Sequence, residues 1–236
     1  MFTSALYFSR EVWNQGMNKA SKPYHHGNLA ESLLDAVDEL ATQFGLEAVT
    51  LRACAKKLGV SPSSAFRHYV DKRALFTAFA TRAIHQLAAA MESAKRQAEA
   101  EGRDPFFSVG LAYVRFGLEK PAFFRAMWRE EAIYSQDEAY QQATRLLARY
   151  LQGGFVKTIE DDDPEAFSSE ELLAWSAVHG LTHLFVDGPI GRGKSIEEQI
   201  QIAEEMLAIM NPLFKSARSI INVPKGRESG REPPGS

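Results

Sequence analysis

Residues 50–73 read TLRACAKKLGVSPSSAFRHYVDKR, and this stretch decides the fold because three helix starts crowd into it. Thr50 is placed to cap a helix that Gly59 stops. Ser61 and Pro62 take the N-cap and first-turn roles of a second helix, and Asp71 caps a third. The spacing is that of a helix-turn-helix unit, with Val60 anchoring the turn and Leu51, Ala55, Leu58, Ala65, Phe66 and Tyr69 forming a small core. The charge here runs against the rest of the chain. Arg52, Lys56, Lys57, Arg67, Lys72 and Arg73 face one acid, Asp71, in a protein whose formal net charge is −3. Arg52, Lys72 and Arg73 fall in first turns, where unpaired N–H groups already amount to roughly half a positive charge. An external anion would complete such a surface. The plainer alternative is a solvated basic face.

Away from this stretch the balance reverses. Residues 17–75 carry eight Lys or Arg against six acids, and residues 76–236 carry eighteen against twenty-three, so the basic excess sits near the N-terminus. With 236 residues, 45% hydrophobic and 24% charged, the composition is that of a globular chain with room for one large domain or two smaller ones. No run approaches the roughly 18 apolar residues of a membrane span, and the start lacks a basic flank followed by an apolar run. No membrane association and a cytoplasmic location are therefore expected. Cys54 is the single cysteine, which excludes a disulfide framework and a cysteine metal site; it reads as a small buried residue.

Helical period continues on both sides. Asn28 and Glu31 form a capping-box pattern ahead of Leu29, Leu33, Val37, Leu40 and Phe44, and Gly45 ends that helix. From Asp71 a long helix is predicted to about Ala100. Further helices are predicted over Pro105–Leu118, Pro121–Ala132, Asp137–Leu151, Ser169–Val186 and Ser195–Phe214, punctuated at Gly102, Pro121, Gly153-Gly154, Pro164 and Gly188-Pro189. The acidic run Glu160–Glu165 reads as a solvated loop. With no alternating strand and no internal repeat, the fold class is all-α. Residues 1–26 read as a flexible arm, within which Met17 could be the natural start, and residues 218–236 as a disordered tail.

The last two predicted helices are apolar over more of their circumference than one core would use. On the last, Ile196, Ile200, Ala203, Leu207, Met210 and Phe214 form one stripe, with Ile202, Met206, Ile209 and Leu213 beside it. On the one before, Leu173, Ala177, Gly180, Leu181 and Leu184 are apolar or small. A homodimer through these two helices is the economical reading, with Leu173, Ala177, Leu181, Leu184, Ile200, Ala203, Leu207 and Met210 as its interface. A single thick bundle burying both stripes is the alternative.

The pattern Gly59-Val60-Ser61, then Phe66-Arg67-His68-Tyr69, then Asp71-Lys72 and Leu75 resembles the TetR family of transcriptional regulators. Tyr113-Val114-Arg115-Phe116, Lys120-Pro121, Phe123-Phe124, Trp175 and Val178-His179-Gly180 resemble the branch of that family with a Trp…His-Gly C-terminal domain. The resemblance implies an all-helical homodimer, usually a repressor, without cofactor or catalysis. Residues 27–73 would bind double-stranded DNA, and residues 74–217 would bind a small-molecule effector and dimerise. At the position of Phe66 the family commonly has tyrosine, whose hydroxyl bonds a DNA phosphate; phenylalanine has no hydroxyl, so Phe66 is expected to pack in the core.

In such a unit the second helix, here Ser61–Tyr69, enters the major groove. Ser61, Ser63, Ser64, Arg67 and His68 are the candidates at base edges or nearby phosphates, with Arg67 as the guanine reader. Thr50, Arg52, Lys72 and Arg73 are assigned to phosphates. For the effector, Trp175, His179 and His183 place polar groups on a face of the penultimate helix that should be buried, and Tyr113, Phe116, Phe124 and Trp128 are aromatic candidates around them. Each histidine has a plainer reading as a satisfied core residue, and the aromatics as core.

Three rivals are weighed. Gly188-Pro189-Ile190-Gly191-Arg192-Gly193-Lys194-Ser195 matches the phosphate-loop pattern G-x-x-x-x-G-K-[ST], but that motif requires a preceding buried strand where a helix is predicted. His179, His183 and Asp187 have metal-ligand spacing, but glycine stands at position 180 where the HExxH motif has its glutamate. An adaptor that kept the fold and lost DNA binding is the third.

Overall fold

The computed structural model describes residues 28–152 and 167–220, and every regular element among them is helical. The elements are α1 (Leu29–Phe44), α2 (Leu51–Leu58), α3 (Pro62–Phe66), α4 (Lys72–Ala100), α5 (Pro105–Glu119), α6 (Pro121–Met127), α7 (Glu138–Gln152), α8 (Ser169–Val186) and α9 (Ile196–Ile220). Short 3-10 turns occupy Leu46–Ala48 and Glu130–Ala132. The expected N-terminal arm with Met17, the break at Gly153-Gly154, the acidic run and the tail beyond Ile220 lie outside the described residues. The last helix passes the expected boundary at 217.

The caps work as the sequence requires. Asn28 accepts from the Glu31 amide, Thr50 from Ala53, Ser61 from Ser64 and Asp71 from Ala74, so each helix of the N-terminal part starts on a side-chain oxygen. Gly59 takes φ 68°, and the amides of Gly59 and Val60 bond the carbonyls of Lys56 and Ala55 at 3.2 and 3.0 Å. That paired closure turns the chain from α2 into α3.

Two elements are shorter than their periodicity predicts. α3 ends at Phe66, and turn bonds from the His68 and Tyr69 amides to the Ala65 carbonyl carry the chain onward. α6 ends at Met127, after which Glu130–Ala132 is a 3-10 turn and Ile133 is extended and buried. A 3-10 turn repeats every three residues, so over a single turn the apolar spacing hardly differs from that of an α-helix.

One continuous apolar cluster runs from Leu33 on α1 to Leu207 on α9, and α4 carries it through the molecule. Leu75, Phe76 and Phe79 of α4, then Ile84, Leu87 and Met91, are buried along its length, with Phe79 stacked on Phe123 of α6 at 4.5 Å. α5 packs against α4, α8 and α9. Cys54 is buried and its thiol is pushed up to about 11 by desolvation, in keeping with a packing role. No helix among the described residues is long and apolar enough to cross a membrane.

Because an L side chain in the left-handed region costs roughly 1–2 kcal/mol, Gly59→Ala is expected to lower unfolding free energy by about that amount in urea titration. Equal midpoints and slopes for the two proteins would show that the α2–α3 turn does not need the glycine.

Candidate nucleic-acid interface and effector cage

At the start of α3 the hydroxyls form a compact group. Ser61 Oγ lies 2.9 Å from Ser63 Oγ and 2.8 Å from Ser64 Oγ, and Arg67 Nη2 donates to Ser64 Oγ at 3.2 Å. Ser61, Ser63, Arg67 and His68 are exposed, as are Thr50 and Arg52 at the start of α2. This assembles a polar, basic surface across two successive helices. Phe66 departs from expectation: it is 44% exposed and is not a core residue. In so short a helix Ala65 occupies the inward position and is fully buried, while Tyr69, half-buried, donates its hydroxyl to the Ala30 carbonyl at 3.3 Å. Phe66 is turned outward beside Arg67.

The cations that open α4 have internal partners. Lys72 Nζ donates to the Glu47 carbonyl at 3.3 Å and lies 5.0 Å from the Phe76 ring centroid. Arg73 donates through Nε and Nη2 to the Ile133 carbonyl at 3.0 and 2.6 Å, and its guanidinium lies 4.6 Å over the Tyr134 ring. Arg73 is exposed, yet it is already bonded to a carbonyl and lies over a ring face within the chain. Tyr134 completes the junction: its hydroxyl donates to Asp71 Oδ2 and its amide to Thr77 Oγ1, while Arg129 bonds Glu47 at 2.6 Å. The Tyr134 hydroxyl, followed by the Ala74 amide, holds the Asp71 carboxyl below its usual range. Sequence reasoning missed Arg129, which lies in a segment read as plain helix, and Tyr134, which falls between that segment and the next predicted helix.

The aromatic candidates divide. Tyr113 from α5, Phe124 from α6, Trp128 just beyond α6, and Trp175 and His179 from α8 meet in one cage. The Tyr113 hydroxyl lies 3.0 Å from His179 Nδ1, and the His179 ring centroid stands 4.9 Å from Trp128, 5.5 Å from Phe124 and 6.2 Å from Trp175. Phe167, absent from the sequence-based set, stacks on Trp175 at 5.4 Å. Burial pushes the Tyr113 phenol far up, with the neighbouring Trp175 indole opposing the rise. Desolvation, followed by His183, lowers His179 below its ordinary 6.5. Phe116 lies apart from the cage, packed on Phe123 and lining an open groove of about 680 Å³ between α4 and α5 with Gln86, Ala90, Leu111 and Arg115. His183 is also outside: it is exposed and faces Asp187 at 3.5 Å. With His179 turned to Tyr113, the metal spacing does not close, and no group of three ligating side chains that could hold a metal occurs among the described residues.

The phosphate-loop pattern also has a structural account. Helix α8 precedes it, a Cβ on Gly188 would lie 2.6 Å from the Leu184 carbonyl oxygen, and Gly193 sits at φ 73°. Ser195 caps α9 through the Glu198 amide, and Glu198 returns a carboxylate bond to the Ser195 amide at 2.6 Å. Both motif glycines and the serine therefore serve the α8–α9 turn.

Residues 33–79 match the family model described as "Bacterial regulatory proteins, tetR family", and residues 106–210 match the one described as "Tetracyclin repressor-like, C-terminal domain". An HTH-type transcriptional regulator of Bacillus subtilis (strain 168), YobS, is 32% identical over 183 residues, which cover 75% of this chain and 89% of that protein. The chain belongs to the TetR family of transcriptional regulators. Two solved structures share its fold. A protein of unknown function from Rhodococcus sp. RHA1 superposes with a TM-score of 0.61 at 24% identity, covering 84% of this chain and 100% of that one. The TetR regulator PfmR from Thermus thermophilus gives 0.51 at 20% identity, covering 75% and 97%.

Within this TetR chain the expected dimer stripe is half wrong. Leu181, Ile200, Ala203 and Leu207 are buried inside the protomer, and Met210 packs beside Ala174 with Phe106. The large apolar groups left in solvent on these helices are Leu172 at 45%, Leu173 at 58% and Leu184 at 43% on α8, and Ile196 at 38% and, from the neighbouring stripe, Ile209 at 76% on α9. Ala177 and Gly180 lie between Leu173 and Leu184 on α8, and Ile202 and Met206 precede Ile209 on α9, all half-buried. The two α9 stripes are told apart only by where α5 packs.

His179 yields a pH prediction. Its folded-state value is depressed, so the unfolded chain binds the extra proton first as pH falls. The contribution is complete above 6.5 and is lost as pH drops through the lowered folded value. Melting temperature between pH 7.5 and 5.5 should fall more for wild type than for His179→Gln; parallel profiles would remove His179 from the cage's acid sensitivity.

Proposed function

We propose that the protein is a ligand-responsive, non-catalytic, cytoplasmic DNA-binding regulator that represses as a homodimer on an inverted-repeat operator. The observation that carries this reading is the Ser61/Ser63/Ser64/Arg67 group at the start of α3, of which Ser61, Ser63 and Arg67 are exposed, with Arg52 exposed on α2, in a TetR-family chain. Arg67 reads guanine in a bidentate contact and the serines adapt to either base partner. Phe66, exposed beside them, offers an apolar contact of the kind thymine methyl groups accept. Thr50, Arg52, His68 and Lys72 position the unit on phosphates. Residues 27–73 are the DNA-binding part and residues 74–217 the effector and dimer part, with Trp175 and His179-Gly180 supporting the Trp…His-Gly branch. Leu173, Ala177, Gly180 and Leu184 of α8 and Ile202, Met206 and Ile209 of α9 form the dimer face.

The effector binds at the cage of Tyr113, Phe124, Trp128, Trp175 and His179. Trp128 is followed at once by Arg129, which bonds Glu47 before α2, and by the turn whose Ile133 and Tyr134 hold Arg73 and Asp71 at the start of α4. A ligand that displaces Trp128 moves this strap, and with it the angle at which the two DNA-binding parts of the dimer meet the duplex. It must bind the non-DNA geometry more tightly, because equal affinity shifts nothing.

Selection of bound DNA from a random pool is expected to return an inverted repeat; an unrepeated half-site would overturn the dimeric reading. On the selected site, Arg67→Ala should cost about 1–3 kcal/mol against wild type and relax one base position. Arg52→Ala should weaken all sequences alike and reduce the salt slope by about one unit, and an unchanged slope would remove it from the phosphate contacts. Ile209→Glu is expected to yield monomers in sedimentation while leaving the melting temperature near that of Leu173→Glu. A dimer surviving both would place the interface elsewhere.

A further inference from the structure

Glu171 is a capping residue in a place where capping does not account for all of it. Its Oε2 accepts from the Ser168 amide at 2.8 Å, closing the capping box of α8. Glu198 does the same at α9 and stays exposed, so its second oxygen remains in water. Glu171 is 0% exposed, and its Oε1 is buried with no hydrogen-bond partner among the described residues. No lysine, arginine or histidine among the described residues forms a salt bridge with it. An unmatched carboxylate oxygen out of water is costly, and a cap alone would be served as well by a glutamate turned outward.

Trp175 follows one turn after Glu171 on α8, stacked on Phe167 at 5.4 Å and packed on Trp128 at 5.6 Å. Trp128 Nε1 and Trp175 Nε1 are both buried with no hydrogen-bond partner among the described residues. Aromatic faces attract cations through their quadrupoles, and His179, with its affinity for protons lowered by burial, adds no positive charge at neutral pH. The buried carboxylate thus stands one helical turn before Trp175 on the same side of α8, with no salt bridge to that carboxylate among the described residues.

We propose that Glu171, Trp128 and Trp175 form a subsite that selects an effector carrying a protonated or quaternary amine. Glu171 Oε1 takes the ammonium group, the indole faces flank it, and the apolar body of the ligand lies toward Tyr113, Phe124 and His179. The proposal rests on the cage being the effector site.

The test uses the full-length protein and three soluble probes of one shape: benzylammonium, benzyl alcohol and benzoate. Thermal shift and tryptophan fluorescence at millimolar probe should show benzylammonium binding about tenfold or more tightly than benzyl alcohol, with benzoate weakest. Glu171→Gln keeps the acceptor for the Ser168 amide and should erase the preference for the cation. Trp128→Leu should weaken both benzylammonium and benzyl alcohol. Benzyl alcohol or benzoate binding as well as benzylammonium, a preference that survives Glu171→Gln, or no binding by any probe would overturn the subsite. Should Glu171→Gln not fold, the charge preference of wild type and the Trp128→Leu result decide alone. DNA binding by ligand-free protein is measured in parallel; its failure would count against the regulator reading and leave the probe ranking intact.

Discussion

The carboxylate of Asp71 joins two jobs that the molecule cannot separate. One oxygen caps α4 through the Ala74 amide at 2.8 Å, and the other accepts the Tyr134 hydroxyl from the turn beyond α6. The helix that starts here buries Leu75 and Phe79 near its first turns and Leu87 and Met91 further on, within one continuous cluster. A shift at the Asp71 end is therefore felt through a rigid, close-packed rod rather than a hinge of loose loops. The position of the DNA-facing helices relative to the rest of the chain depends on this bond and on the Arg73–Ile133 contacts beside it.

The same turn gives the cage its connection to the DNA-facing side. Trp128 closes the aromatic group, and within a few residues Arg129 reaches Glu47 while Ile133 and Tyr134 hold the start of α4. Coupling over such a distance needs an element with two arrangements, and the proposed switch assigns that part to this short strap, anchored at both ends by hydrogen bonds. Its contacts are few and partly exposed, so the energies involved are the modest ones of surface ion pairs and single hydrogen bonds. This suits a switch, where the two states must lie within a few kcal/mol of each other.

Exposed apolar side chains carry the other lesson. Phe66 and Ile209 stand in solvent at opposite functional ends of the chain, and each lies among residues that otherwise follow the rule of apolar inside and polar outside. In a monomer both would be unexplained. The proposed duplex over α3 and second copy over α8 and α9 would give each a cover, and for Phe66 its exposure reverses the core assignment that its chemistry invited.

The local signals were complete in the sequence. Caps at Asn28, Thr50, Ser61 and Asp71, the Gly59 stop, the apolar period of each helix, and the family resemblance through Gly59 to Leu75 all act over a few residues, so the all-α class and the helix-turn-helix could be read directly. The grouping of Tyr113, Phe124, Trp128, Trp175 and His179 was partly legible, because polar residues on an apolar helix face stand out; their separation from Phe116 and His183 was not. Which α9 stripe is core, whether Phe66 turns in or out, what Arg73 bonds, and that Glu171 is sealed from water were decided by packing between helices far apart in sequence. Helical periodicity specifies which residues share a face, and only the neighbouring helices specify what that face meets.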